Sequence, residues 1–227
     1  MIRVILFDID GTLIRTGGAG VRAFAKVFET EFNAVDGFEN LKFAGRTDVS
    51  LVREFFSFHG IEATPNNFER FFDSYVFWLD YILSQCNGGV CAGVHDFLQF
   101  LRRFPEPPLI GLLTGNIRLG AEIKLRRFDL WDEFVTGAFA DDHEERPEIA
   151  AIARDRAARI MKRKIEPAEV LVIGDTPLDI HCGRAIGARV LTVATAGSTL
   201  QQLTEAAPDL AVPNLKHRAA REFVLES

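Results

Sequence analysis

The chain has 227 residues, 48% of them apolar and 26% charged, with 18 glycines and 9 prolines. Such values belong to a globular protein able to bury a core, and they exclude a collagenous, low-complexity or disordered chain. With 26 basic and 32 acidic side chains the formal charge is −6, so there is no net basic field to hold nucleic acid.

The opening run Val4-Ile5-Leu6-Phe7 is continuous, apolar and rich in β-branched residues. It predicts a strand buried on both faces, as in a parallel sheet. The run leads directly into acidic residues without a long apolar stretch or a small-residue cleavage site, so no signal peptide is expected. No window approaches 18 uncharged apolar residues, and no membrane span is expected. Three cysteines, Cys86, Cys91 and Cys182, are too few for a disulfide framework and fit a reduced, cytoplasmic protein. Cys86 and Cys91 could at most begin a metal site, since no second Cys/His pair lies nearby.

Residues 16–90 show helical patterns and no clear strand. Phe24, Val27, Phe28 and Phe32 form one apolar stripe. Thr64-Pro65 has the form of a helix cap and first turn leading into Phe68, Phe71, Phe72, Tyr75, Val76, Leu79, Ile82 and Leu83. Twelve of the 20 phenylalanines and both tyrosines lie in this segment. So dense an aromatic stripe predicts a helical insert with a core of its own.

Four later stretches resemble the first strand: 109–113, a short one near Phe134-Val135, 170–173 and 190–193. Between them Val94, Phe97, Leu98, Leu101 and Phe104 follow helical spacing, as do Ile149, Ile152, Ala153, Ile160 and Met161, entered through Pro147. Alternating strands and helices predict an α/β fold, a doubly wound parallel sheet.

Ligands of such sheets bind beyond the carboxyl ends of the strands. There the sequence places Asp8-Ile9-Asp10-Gly11-Thr12, then Thr114-Gly115-Asn116, then Gly174-Asp175-Thr176-Pro177-Leu178-Asp179. Asp8 and Asp10, two apart, point to the same side of an extended chain. Two carboxylates so close do not both ionise cheaply, so one is expected to stay charged and the other to act as acid/base. Adding Asp175 makes the crevice anionic enough to require a cation, and hard oxygen donors favour Mg²⁺. A phosphate dianion beside two ionised carboxylates needs Mg²⁺ and a basic side chain. Each charge pair at about 4 Å is worth roughly 4 kcal/mol at an effective dielectric near 20. Gly11, Gly115 and the Thr114 hydroxyl add donors suited to phosphoryl oxygens. A carboxylate attacking phosphorus gives an aspartyl-phosphate, which water hydrolyses with Asp10 as base.

Taken singly, each motif has another reading. Asp10-Gly11 fits a hairpin turn, Asp8-x-Asp10-Gly11 a fragment of a calcium loop, Thr114-Gly115-Asn116 a helix cap, and Gly174-Asp175-Thr176-Pro177 a turn into a helix. Their succession at strand ends favours phosphate chemistry.

The segments VILFDIDGTL (4–13), LLTGN (112–116) and VIGDTPLDI (172–180) resemble, in order, the motifs of the haloacid-dehalogenase-like hydrolase superfamily, in its phosphoglycolate-phosphatase-like branch. The resemblance implies a Rossmann-like core formed by 1–15 and 91–227, with a helical cap over 16–90. It implies Asp8 as nucleophile and Asp10 as general acid/base. Asp8, the Asp10 carbonyl and Asp175 would hold Mg²⁺, supported by Asp179. Thr114 would bind the phosphoryl group, helped by Gly115 and Asn116. Asp10 followed by Gly11 and Thr12 resembles the phosphatase pattern, because dehalogenases lack the second carboxylate.

Where the family places a lysine before the last acidic motif, this chain has Arg146-Pro147. Arg146 is the expected phosphate-neutralising cation, with Lys124, Lys162 and Lys164 as alternatives. Arg46, in the polar cluster Gly45-Arg46-Thr47-Asp48, is expected to meet the leaving group, although a helix start capped by Thr47 or Asp48 fits equally. Gly17, Gly18 and Gly20 form the expected exit from core to insert. The histidines have no partners in sequence. The leading expectation is a phosphatase acting on a small phosphorylated metabolite such as a phosphoglycolate-like compound, a sugar phosphate or a nucleotide. A phosphosugar mutase and a non-catalytic binding protein are the alternatives. Monomer and homodimer both fit the sequence.

Overall fold

A computed structural model of the chain describes residues 1–37 and 42–226. β1 (Val4–Phe7) lies in the middle of a parallel sheet, with β4 (Leu109–Leu113) on one side and β6 (Val170–Gly174) on the other. Val4 pairs with Leu109 and Val170, and Phe7 with Leu112 and Ile173. β5 (Thr136–Ala138) extends the sheet beyond β4, and β7 (Arg189–Val193) and β8 (Leu210–Val212) extend it beyond β6. Every residue of β1 and β6 is buried, and this explains the unbroken apolar runs in place of alternation.

Alternate residues serve opposite layers. Ile5 and Phe7 pack with Phe97, Leu98 and Leu101 of α4 (Val94–Arg102) and with Val224 of α9 (Arg218–Leu225). Val4 and Leu6 pack with Ile149, Ala150 and Ala153 of α6 (Arg146–Met161) and Cys182 of α7 (Pro177–Ala185). No helix among the described residues is long and apolar enough to cross a membrane.

Two sheet details depart from the sequence expectations. The strand expected near Phe134-Val135 forms at Thr136–Ala138, where Thr136 pairs with Gly111. A 3₁₀ turn at Trp131–Glu133 uses up the preceding chain, and Val135 stays exposed. The edge strand β8 was not expected: three residues between Pro208 and Pro213 are too short a run to register as a period.

The hairpin alternative for Asp10-Gly11 fails. β2 (Ile14–Arg15) pairs antiparallel with β3 (Gly89–Val90), not with β1. Between these two strands lie α1 (Ala19–Phe32), α2 (Asp48–Phe58) and α3 (Pro65–Leu83). Thr64 caps α3 as expected, its hydroxyl oxygen accepting from the Asn67 N–H at 3.2 Å. Phe24, Phe28, Phe56, Phe71, Tyr75 and Leu79 share one apolar cluster. The Phe24 ring centroid lies 5.0 Å from that of Phe71 and 4.8 Å from that of Tyr75, both edge-on. Phe38, one of the twelve phenylalanines counted in the insert, lies outside the described residues.

Candidate active site

The chain order of the sheet reverses at β1, with β4 and β5 to one side and β6, β7 and β8 to the other. Such a reversal opens a crevice at the carboxyl ends of the strands. Neighbouring strands are about 4.8 Å apart, so the residues following β1, β4 and β6 must converge. They are Asp8, Thr114 and Asp175. A cavity of about 450 Å³ opens above them. Asp8, Asp10, Asn116, Arg146 and Asp175 line it from the sheet, and Phe24, Phe43, Leu51 and Tyr75 line it from the insert.

Asp8, Asp175 and Asp179 are buried, and each offers a carboxylate oxygen within 4.8 Å of the others. The Asp179 carboxylate is already saturated. Oδ2 accepts from the Asp175 N–H at 3.1 Å, the Thr176 N–H at 2.9 Å and the Thr176 hydroxyl at 2.8 Å, and Oδ1 accepts from Arg146. Asp175 is not saturated. Its Oδ2 accepts from the Gly197 N–H at 2.5 Å, while Oδ1 is buried without a partner among the described residues. Burial, reinforced by Asp179 and Asp175 and opposed by Arg146, holds the Asp8 carboxyl well above its ordinary range. Burial and then Asp179 push Asp175 up to about 7. An orphaned carboxylate oxygen among crowded acids fits a hard divalent cation. In such a site Asp8 and Asp175 would be the open ligands, with Asp179 behind them. The Asp10 carboxylate is not part of this group: its Oδ2 accepts from Lys124 at 2.6 Å and from the Asn116 amide at 2.9 Å.

A metal-linked pH dependence follows. Asp175 has an ordinary value of 3.8 and a folded value of about 7. Between these the folded protein keeps a proton that the unfolded chain has lost. The stability this contributes is complete below the lower value and lost as pH rises through the upper one. Mg²⁺ binds only the deprotonated carboxylates. The rise in Tm on adding Mg²⁺ is therefore expected to be larger near pH 8 than near pH 5.5, by thermal unfolding with and without the ion. Equal rises would contradict a metal held by Asp175.

Two glycines permit the close approaches. Gly11 has φ +84°, and a Cβ there would collide with the Asp175 carboxylate. A Cβ at Gly115 would strike the Arg46 carbonyl. Thr114 is fully buried, its hydroxyl oxygen accepting from the Asn116 side-chain amide at 2.8 Å. It therefore orders its own loop and does not cap α5 (Arg118–Arg126), whose cap residue is Ile117. The Thr12 hydroxyl is buried without a partner among the described residues.

Two buried cations face this end of the cavity. Arg146 opens α6, with Pro147 in its first turn. Its guanidinium bonds Asp179, lies 3.9 Å from Asp8 Oδ1 and donates to the Gly45 carbonyl at 3.2 Å. Burial opposes its charge, but Asp179 and Asp8 outweigh that and hold its pKa above the usual range. Lys162 terminates the same helix at its far end, and Lys164 pairs with Glu166 in solvent; neither reaches the site. Lys124, which the sequence offered only as an alternative to Arg146, also lines the cavity, binding Asp10 and Asn116. Its signal was a lone lysine on the buried face Gly120, Ala121, Lys124 and Leu125 of α5.

The segment 45–48 docks the insert onto the sheet. Thr47 caps α2, accepting from the Ser50 N–H at 3.2 Å, and donates its hydroxyl to the Glu144 carbonyl at 2.9 Å. The Asp48 N–H donates to the Gly115 carbonyl at 2.7 Å, and its carboxylate accepts from the Ile117 N–H at 2.8 Å. Burial raises the Asp48 carboxyl to about 7 against the pull of Lys124. The sequence offered Asp48 only within the polar cluster 45–48 and gave Tyr75 no place in the cavity, which both line. Arg46 does line it, but its guanidinium bonds Glu54 and Ser50. Cys86 and Cys91 are free thiols and join no metal-ligating cluster among the described residues.

Comparison with known proteins agrees with this geometry. A family model described as haloacid dehalogenase-like hydrolase matches residues 5–193. A putative pyrophosphatase, PpaX, of Clostridium perfringens is 24% identical over 217 residues, covering 93% of each chain. A bifunctional riboflavin kinase/FMN phosphatase of Arabidopsis thaliana is 25% identical over 83% of this chain and 48% of its own length. Among solved structures, CbbY from Rhodobacter sphaeroides in complex with phosphate has the same fold, with a TM-score of 0.75 at 17% identity over 95% of both chains.

Proposed function

The chain belongs to the haloacid dehalogenase-like hydrolase family, and from that premise we propose that it is a Mg²⁺-dependent phosphatase cleaving a small phosphomonoester through an aspartyl-phosphate. The observation that carries this reading is the convergence of Asp8, Asp175 and Asp179 within 4.8 Å at the sheet's crevice, with Asp10 held separately by Lys124 and Asn116. On this reading residues 1–15 and 91–227 carry the chemistry, 16–90 form a cap, and the substrate is a soluble metabolite of the cytoplasm.

In the first step a carboxylate oxygen of Asp8 forms a bond to phosphorus. The ester P–O bond breaks with its electron pair on the leaving oxygen, and Asp10 gives that oxygen a proton. In the second, water yields a proton to Asp10 as its oxygen attacks phosphorus, and the bond to Asp8 breaks to release orthophosphate. Lys124 and Asn116 both bond Asp10 Oδ2, which fixes the carboxyl and leaves Oδ1 for these transfers. On this reading the Thr114 hydroxyl and the Gly115 N–H hold the phosphoryl oxygens. The Asn116 amide is committed to Asp10 and Thr114, and the Gly11 N–H to the Ile14 carbonyl. These two and the buried Thr12 shape the loops around the site and do not donate to substrate, contrary to the sequence expectation. Arg146 neutralises charge between Asp8 and Asp179. Asp8, Asp175 and the Asp10 carbonyl, with Asp179 behind them, would hold Mg²⁺, which would supply the remaining positive charge that lets two anions meet. Arg46 stands on the leaving-group wall.

The test is release of phosphate from a chromogenic aryl phosphate with Mg²⁺ and its loss in EDTA. No release from a broad panel of phosphomonoesters in the presence of Mg²⁺ would reject the proposal.

A further inference from the structure

We propose that the leaving group of the substrate is uncharged and largely apolar, and carries neither a carboxylate nor a second phosphate. This rests on the phosphatase reading and adds to it the chemistry of the half of the substrate that phosphorus leaves.

The groups suited to phosphate come from the sheet side of the cavity. The insert side, the leaving-group end on this reading, contributes Val21 and Phe24 of α1, Phe43, Leu51 of α2 and Tyr75 of α3. The Tyr75 hydroxyl, like Lys124 Nζ, lies within 4 Å of the Cβ position of Gly20. The Phe24 ring meets Phe43 edge-on at 5.6 Å and Tyr75 at 4.8 Å, making an aromatic wall. The cavity, about 450 Å³, falls in the range of about 300–1,000 Å³ that holds drug-sized ligands.

The cations within reach of this end are already engaged. Arg46 is paired with Glu54 and donates to Ser50, Lys124 holds Asp10 and Asn116, and Arg15 donates to the Thr195 carbonyl. Asp48 adds a carboxyl to the wall, which an anionic leaving group would have to approach. A carboxylate or second phosphate would give up its water against phenyl rings and gain no free cation among the described residues. An apolar group would lose only unfavourable hydration.

The experiment compares three phosphates with primary alkyl leaving groups, so that differences in leaving-group reactivity do not imitate selectivity: benzyl phosphate, glycerol 3-phosphate and 2-phosphoglycolate, each with saturating Mg²⁺. Benzyl phosphate is expected to have a kcat/KM at least about tenfold above both others. A smaller advantage, or a lead for either polar substrate, overturns this inference and leaves the phosphatase reading standing. Hydrolysis of none of the three, nor of an aryl phosphate, overturns both. The location is tested with Val21→Arg, a change at an exposed position of the cavity wall. A new cation there is expected to lower the benzyl-to-phosphoglycolate ratio of kcat/KM by at least about threefold. A ratio nearer the parent's overturns the placement of the leaving group against α1.

Discussion

Asp8→Asn is expected to lower kcat by at least about 10³-fold while the metal-free protein becomes no less heat-stable than the parent. Both halves have one cause. The Asp8 carboxyl is buried beside Asp179 and Asp175, and burial and repulsion both raise its pKa, with only Arg146 opposing them. An isosteric amide keeps the packing and removes a charge that the fold holds at a cost. It also removes the oxygen that would attack phosphorus. Activity and metal-free stability should thus move apart, as expected where a functional group sits in an environment that disfavours it. The measurements are aryl phosphate turnover with Mg²⁺ and the unfolding temperature in EDTA. A variant within about tenfold of the parent would remove Asp8 from the role of nucleophile. A Tm several degrees lower would show that the acids are not in conflict.

Arg146→Ala should act in the opposite sense on stability. The Arg146 side chain is 8% exposed and that of its partner Asp179 is 1% exposed. Removing one member of so buried a pair strands the other and costs about 3–5 kcal/mol. For a chain of this length that corresponds to a fall in Tm of roughly 6–20 °C. The loss also reaches Asp8, 3.9 Å away, and the Gly45 carbonyl on the insert, so turnover should fall with stability. Arg146→Lys keeps the charge but not the two-pronged donor, and should recover part of the stability. Denaturant unfolding in EDTA decides the matter. A loss below about 1 kcal/mol, the range of an exposed ion pair, would mean that Asp179 is compensated by the Thr176 and Asp175 N–H groups alone.

Much of this arrangement was legible in the sequence. β1, β4, β6 and β7 were visible because strands covered on both faces must be apolar throughout. Asp8 and Asp175 were visible because they follow such strands directly. β5 and β8 have three residues each. β5 was expected two residues too early and β8 was not expected, because so short a run carries too little pattern to fix its place. Lys124 and Asp48 were obscured for a different reason. Each is a charged residue on a helix, and such residues usually face solvent. Only the contact of α5 with Asp10, and of the α2 start with Ile117, buries them. The ion pair of Arg46 with Glu54 likewise spans eight residues, a separation with no fixed meaning in sequence.

The short ribbon of β2 and β3 sets Ile14 opposite Val90 and Arg15 opposite Gly89. It works as a collar, in which the chain departs the sheet and re-enters it at adjoining points. The hydrogen bonding of β1 with β4 and β6 involves no residue between 15 and 89, so the strand spacing that sets Asp8 beside Asp175 is independent of the insert. The bonds of Gly45, Thr47 and Asp48 to Arg146, Glu144 and Gly115, by contrast, tie the segment 45–48 to the loops above the sheet.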